Sequence, residues 1–258
     1  MAFRAIERVG SSLRVILTDI SLPLLGLAKA NAERLGVQNQ CTFMACSADQ
    51  LTAIAAESVD VVASRAALAY VPDKVTALQE FKRVLKPGGR ISFAEPVFQD
   101  EAFEACVLRS LVETERSQGR DSLRPLLHRW KAAMFPDTPE AVSTNFLTNF
   151  SERSLFELVR TSGFSPIHLE LHIDLAPAPV SSWQVFLDSS PHPLAPTLGT
   201  ILTQQFDARE RQIFEAALRP LVESGRATTL GRIAYLSATK LSGERSVPAF
   251  TESLRQFL

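Results

Sequence analysis

Apolar positions over the first hundred residues alternate between two periods. Phe3, Ile6 and Val9 recur at helical spacing, and Gly10-Ser11-Ser12 ends that helix. Arg14 to Ile20 is a continuous run rich in β-favouring residues, the pattern of a strand covered on both faces of a parallel sheet. Ser21 caps a predicted helix with Pro23 in its first turn, running to Leu35 with Gly36 as its stop. Cys41 to Cys46 predicts a second strand and Val59 to Ser64 a third. Pro72 to Leu85 predicts a helix with Val75, Leu78, Phe81, Val84 and Leu85 on one face. Lys86-Pro87-Gly88-Gly89 predicts a turn into a fourth strand, Arg90 to Ala94. Alternating strands and helices predict an α/β fold with a doubly wound, mostly parallel sheet.

From Val97 to about Asn149 the pattern turns helical and more charged, with breaks at Gly119, Pro125, Pro136 and Pro139. A helix is expected over Ser154 to Ser162, a strand over Ile167 to Leu175, a helix over Phe206 to Val222 and a last strand over Thr228 to Lys240. Pro177 to Pro196 is proline-rich around Trp183. The expected organisation is a core over residues 1–96, a helical insertion over 97–150, the rest of the same domain over 151–243, and a tail over 244–258.

Composition narrows the class. At 258 residues, 46% hydrophobic and 21% charged, the chain reads as an ordinary globular protein. A net charge of −1 with dispersed acids and bases gives no electrostatic reason to expect nucleic acid or an anionic membrane as partner. Arg4, Glu7, Arg8 and Arg14 interrupt any signal-like apolar run at the start. No stretch reaches the ~20 apolar residues of a membrane-spanning helix. Three cysteines, Cys41, Cys46 and Cys106, are too few for a disulfide framework and lack metal spacing, so they read as reduced, mostly buried thiols and point to a cytoplasmic location.

Several motifs occur in a telling order. Arg83-Val-Leu-Lys-Pro-Gly-Gly-Arg90 ends a helix and opens a strand; Ser58-Val-Asp-Val-Val-Ala-Ser-Arg65 precedes Leu68-Ala-Tyr-Val-Pro-Asp73; and Ala48-Asp49-Gln50-Leu51 follows a strand. Together they resemble class I S-adenosylmethionine (SAM)-dependent methyltransferases, in the branch of the ubiquinone and menaquinone biosynthesis enzymes. The resemblance covers about a third of the chain, within Arg14 to Pro96. It implies a Rossmann-like fold with a helical insertion, SAM as cofactor and a small-molecule acceptor.

Ligands of open α/β sheets sit at the carboxyl ends of strands. Asp19 ends the first such strand, where a carboxylate can accept from both ribose hydroxyls; the plainer alternative is a helix-capping aspartate. The resemblance implies that Asp49 receives the adenine amino group, with Ala48 framing the ring, and that Ile20, Gln50, Ser64 and Arg65 also lie near the cofactor. Arg65 reads equally as a salt-bridge partner. Tyr70 and Glu95 are weak candidates for acceptor contact, against packing and capping roles. Members of this class begin with a strand and a glycine-rich loop that meets the methionine part of SAM. Here only Gly10 precedes Asp19, so the fold is expected without its first strand, and SAM binding is expected to be weak or absent.

Methyl transfer needs a general base only for a protonated acceptor. The four histidines, His128, His168, His172 and His192, lie outside the recognised core. His128, next to Trp130 in the insertion, is the weak base candidate, against a surface or packed role. His168 and His172 share a strand face, but without a carboxylate pattern they do not read as a metal site, and no metal is expected. Arsenite methylation through Cys41 and Cys46 is a minor alternative. Two rivals remain: an NAD-dependent oxidoreductase, for which no glycine loop or catalytic tyrosine–lysine pair is found, and a non-catalytic scaffold with a methyltransferase fold.

Overall fold

The computed structural model describes residues 1–117 and 123–242. The predicted break at Gly119 and the predicted tail from 244 lie outside the described residues. Six strands and ten α-helices are described. The first half contains α1 (Ala2–Val9), β1 (Val15–Asp19), α2 (Leu22–Arg34), β2 (Cys41–Ala45), β3 (Val59–Arg65), α3 (Lys74–Val84) and β4 (Leu85–Pro96). Then come α4 (Gln99–Ser117), α5 (Arg124–Ala132), α6 (Pro139–Thr144), α7 (Glu152–Thr161) and β5 (Phe164–Pro177). The chain continues through α8 (Trp183–Leu187), α9 (Leu198–Gln205), α10 (Ala208–Glu223) and β6 (Thr228–Lys240).

The α/β class and the mostly parallel sheet are as expected. The sheet is in two pieces, however: β1-β2, and β3-β4-β6-β5. Strands β1 and β2 pair in parallel from Val15 opposite Cys41 to Asp19 opposite Ala45. Among the described residues β1 has β2 as its one strand neighbour, and its side chains alternate between half-buried and exposed. The expectation of a strand covered on both faces therefore fails at β1, where Ile16 and Thr18 meet solvent. Helix α2 packs on both strands, capped by Ser21, whose hydroxyl accepts from the Leu24 amide.

Helix α3 starts two residues later than expected. Asp73 caps it, accepting from the backbone amide and hydroxyl of Thr76 at 2.9 and 2.6 Å. Its buried face is Lys74, Ala77, Leu78, Phe81 and Val84, whereas Val75, expected inward, is 45% exposed.

The Lys86–Gly89 segment, expected as a turn, lies within the continuous run of β4. Gly88 still takes the left-handed conformation, at φ 76°, which glycine enters without a Cβ penalty. Gly89 is required for a different reason: a Cβ there would stand 2.9 Å from Leu85 Cδ2 and the Lys86 carbonyl oxygen, and 3.1 Å from the carbonyl oxygen of Asp60.

The chain divides into two compact units. One comprises residues 1–92, 158–167 and the described part of Ser237–Leu258; the other comprises 93–157 and 168–236. The first holds a core of Leu78, Phe81, Leu85, Ile91 and Phe164. The second holds a helical core of Leu126, Trp183, Leu198, Ile201, Phe206 and Phe214. Helix α9, between Pro196 and Phe206 where the sequence predicted no element, supplies Leu198, Ile201 and Leu202 to it.

Gly89→Ala is expected to destabilise the fold by about 1–3 kcal/mol, the usual cost of overpacking against backbone. Urea denaturation at constant m-value checks it, and an unchanged midpoint would contradict the steric account.

Candidate functional site

The two candidate cofactor acids lie at the carboxyl ends of neighbouring parallel strands. Asp19 is the last residue of β1, half-buried, and its Oδ1 accepts from the Ser21 amide at 2.8 Å. Asp19 thus makes a local turn into the N-cap residue, while Ser21 does the capping, and this occupies one of the two carboxylate oxygens. Ile20 beside it is 77% exposed, an apolar surface at the strand end. Beyond β2, the chain turns at Ser47–Gln50, closed by the Gln50 amide donating to the Ser47 carbonyl at 3.0 Å. Ala48 and Asp49 are the central residues of that turn, both half-buried.

An ionic clamp holds the segment after this turn. Arg83 donates to both oxygens of Glu80, at 2.7 and 2.9 Å, and to the carbonyls of Leu51 and Ile54 at 2.8 and 2.9 Å. Glu80 in turn accepts from the Leu51 amide at 2.9 Å. The Arg83 hydrogen bond holds the Glu80 carboxyl below its ordinary range. Further along, the Glu57 and Ser58 amides donate to the carbonyls of Arg83 and Val84, both at 2.9 Å. Neither Glu80 nor this use of Arg83 was anticipated, though both lie one helical turn apart on α3.

Strand β3 ends in Ser64, half-buried, and Arg65, exposed and without an ion pair among the described residues, so the salt-bridge reading of Arg65 has no partner there. Ala66 follows in the left-handed region at φ 51°, a conformation that costs a non-glycine residue of order 1 kcal/mol. Tyr70 closes a short 3-10 turn, its amide donating to the Ala67 carbonyl at 3.0 Å. Asp19, Ile20, Ala48, Asp49, Gln50, Ser64, Arg65 and Tyr70 all belong to the first compact unit, and Glu95 and His128 to the second. Glu95 is fully buried within β4.

The histidines separate into three environments. His128 Nε2 lies 2.9 Å from Asp137 Oδ2, and Arg109 approaches Asp137 Oδ1 at 3.5 Å. His168 and His172 each lie against one oxygen of Glu170, at 2.9 and 3.1 Å. The carboxylate between them was legible in the i, i+2, i+4 spacing of the strand and was overlooked. These two histidines hold the Glu170 carboxyl below its ordinary range. Among the described residues no group of three metal-ligating side chains is placed to hold an ion. His192 is 5% exposed, packed on the rings of Phe98 and Phe135. Its Nε2 donates to the Met134 carbonyl at 3.1 Å, and its buried Nδ1 has no partner.

Cys41, Cys46 and Cys106 are half-buried rather than fully buried. Burial raises all three thiols, which disfavours the thiolates that arsenite chemistry needs.

A family profile described as a methyltransferase domain matches residues 1–133. The chain belongs to that family, the class I SAM-dependent methyltransferases. The ubiquinone/menaquinone biosynthesis C-methyltransferase UbiE of Cellvibrio japonicus is 34% identical over 95 residues, 37% of this chain and 38% of that protein. The tRNA 5-carboxymethoxyuridine methyltransferase of Escherichia coli K12 is 34% identical over 88 residues, 34% of each chain. The aklanonic acid methyltransferase DauC of a Streptomyces species is 34% identical over 101 residues, 39% of this chain and 45% of that one. The chain thus spans less than half the length of each of these relatives. One of these relatives is a tRNA methyltransferase, so the relatives do not bear out the exclusion of nucleic acid read from net charge. The YcgJ protein of Bacillus subtilis, at 13% identity and a TM-score of 0.50 over 89% of this chain and 83% of that one, shares the fold. No described helix is long and apolar enough to cross a membrane.

Two measurements follow from this geometry. Glu80→Ala is expected to cost about 1–3 kcal/mol, because it strands the Leu51 amide and the Arg83 charge; hydrogen exchange at Leu51 should quicken, and an unchanged rate would contradict the clamp. Burial holds His192 below the ordinary imidazole value, against the Met134 hydrogen bond. The unfolded chain therefore takes up its proton first as pH falls. The stability it contributes is full above about pH 6.5 and declines as pH drops through that value toward the folded pKa. Thermal melts across that window should show the decline, and His192→Leu should flatten it.

Proposed function

We propose that this chain transfers a methyl group from SAM to a small-molecule acceptor, with Asp19 at the ribose and the Ala48-Asp49-Gln50 turn at the adenine. The observation that supports this reading is that Asp19 ends β1, paired with Ala45 at the end of the neighbouring parallel β2, and that Asp49 lies in the turn just beyond that end. Asp19 fits the role because the Ser21 amide uses one oxygen and leaves the other to accept from hydroxyls. Ile20 offers an exposed apolar side chain beside it, and Ser64 and Arg65 end the third strand of the same unit.

Bound SAM supplies an electrophilic methyl on a sulfonium. The chain's own residues would bind and orient it and keep water away. The near-neutral net charge favours a small acceptor over a polyanion.

Calorimetry with SAM and S-adenosylhomocysteine tests this. We expect saturable binding, weakened about tenfold by Asp19→Asn or Asp49→Asn. Absence of saturable binding at millimolar ligand, or binding indifferent to both substitutions, would overturn the cofactor assignment and leave the scaffold reading.

A further inference from the structure

The second compact unit contains a cavity of about 270 Å³ at the face of α5. Val112, Pro125 and Ala132 form its apolar walls, and His128, Arg129 and Gln205 are its polar lining. Apolar walls with a few convergent polar groups are the usual make-up of a small-ligand site. The charge of Arg129 is already spent. Its guanidinium donates to both oxygens of Glu210, at 2.8 and 2.9 Å, and to the Gln205 carbonyl at 2.8 Å, and it lies 4.9 Å above the Phe206 ring. Glu210 is held in turn by the capping box of α10, accepting from the Asp207 amide at 3.0 Å. Among the described residues, no uncommitted cation thus lines the cavity to meet a carboxylate or phosphate.

That leaves His128 as the reactive group of the lining. Asp137 does not line the cavity, and it accepts from His128 Nε2. A carboxylate acceptor fixes the tautomer: the ring proton stays on Nε2 and the Nδ1 lone pair is left to take a proton. Asp137 also steadies the imidazolium that results, as the third member of a nucleophile–base–carboxylate chain does.

We propose that this cavity takes a neutral aromatic or enolic hydroxyl, and that Asp137 is a positioning residue that makes His128 Nδ1 its proton acceptor. The proposal names the acceptor class for the methyl-transfer reading and rests on that reading for its biological purpose. In the step, the O–H bond breaks, its electron pair stays on oxygen and the proton moves to Nδ1. The imidazolium then donates through Nε2 to Asp137 and through Nδ1 to the oxyanion. The oxyanion is a nucleophile of the kind that methyl transfer requires, and the proton returns to water when the step is complete.

A nitrophenol whose anion is coloured tests this on the whole chain, with no cofactor present. At a pH where the free probe is mostly neutral, added protein should raise the nitrophenolate band saturably. His128→Gln should retain the probe but cut that band about tenfold or more. Asp137→Asn should cut it similarly, because an amide can donate to Nε2 and move the ring proton to Nδ1; Asp137→Glu should restore part of it. Circular dichroism identifies any variant that fails to fold, and His128→Gln, at a half-buried position, then carries the test. Benzoate should bind no better than phenol. Absence of probe binding at millimolar concentration, a band unchanged in both folded variants, or tighter binding of benzoate would each overturn the proposal. Because SAM is absent, failure here leaves the cofactor assignment standing, and failure of SAM binding leaves this signal untouched.

Discussion

The arrangement of the candidate cofactor region depends on one ion pair used as a bracket. Arg83 is held flat by Glu80 and spends its remaining donors on the carbonyls of Leu51 and Ile54, while Glu80 takes the Leu51 amide. An exposed ion pair alone contributes little, since solvent screens it and side-chain entropy opposes it. This pair is partly buried, and each partner also satisfies backbone groups of an irregular segment that has no ladder of its own. Without it, the stretch between β2 and β3 would have to find water for three backbone groups. The Ser47–Gln50 turn, with Asp49 at its centre, is anchored on one side by β2 and on the other by this bracket.

The second unit solves a similar problem by different means. Arg129 and Glu210 join α5 to the start of α10, and Glu210 simultaneously completes the α10 capping box. One carboxylate thus serves a helix end and a cavity wall. Arg232 extends the same economy: it meets Asp100, Glu101 and Glu104 on the first turns of α4, while Lys131 reaches Glu101 and Glu104 from α5. The acids sit near the helix N-terminus, where the dipole favours them. His128, Asp137 and Arg109 stand apart from this network as a set of their own.

Much of the fold was legible. The strands over 15–19, 41–45, 59–65 and 228–240 follow runs of β-branched and apolar residues, and the Asp19 and Asp49 positions follow from reading where those runs end. Helix α9 was not legible, because Pro193 and Pro196 dominate the composition just before it and its apolar face is only two turns long. The inward face of α3 was misread at Val75, which lies well round the helix from the stripe formed by Ala77, Leu78, Phe81 and Val84. The role of Glu170 was legible from strand alternation and was missed. The role of Asp137 was not: it lies nine residues from His128, beyond the end of α5, at no periodic spacing.

The sequence by itself determined the class of fold, the family and the two strand-end carboxylates, because hydrophobic period and turn chemistry are local properties of the chain. Only the tertiary structure decided three things. It divided the sheet into two pieces, since strand pairing depends on which edges meet. It spent Asp19 Oδ1 on the Ser21 amide and the Arg129 charge on Glu210, because hydrogen-bond partners are assigned by proximity in space. And it set His128 against Asp137, giving one histidine of four an oriented ring beside a cavity, which no reading of spacing along the chain contains.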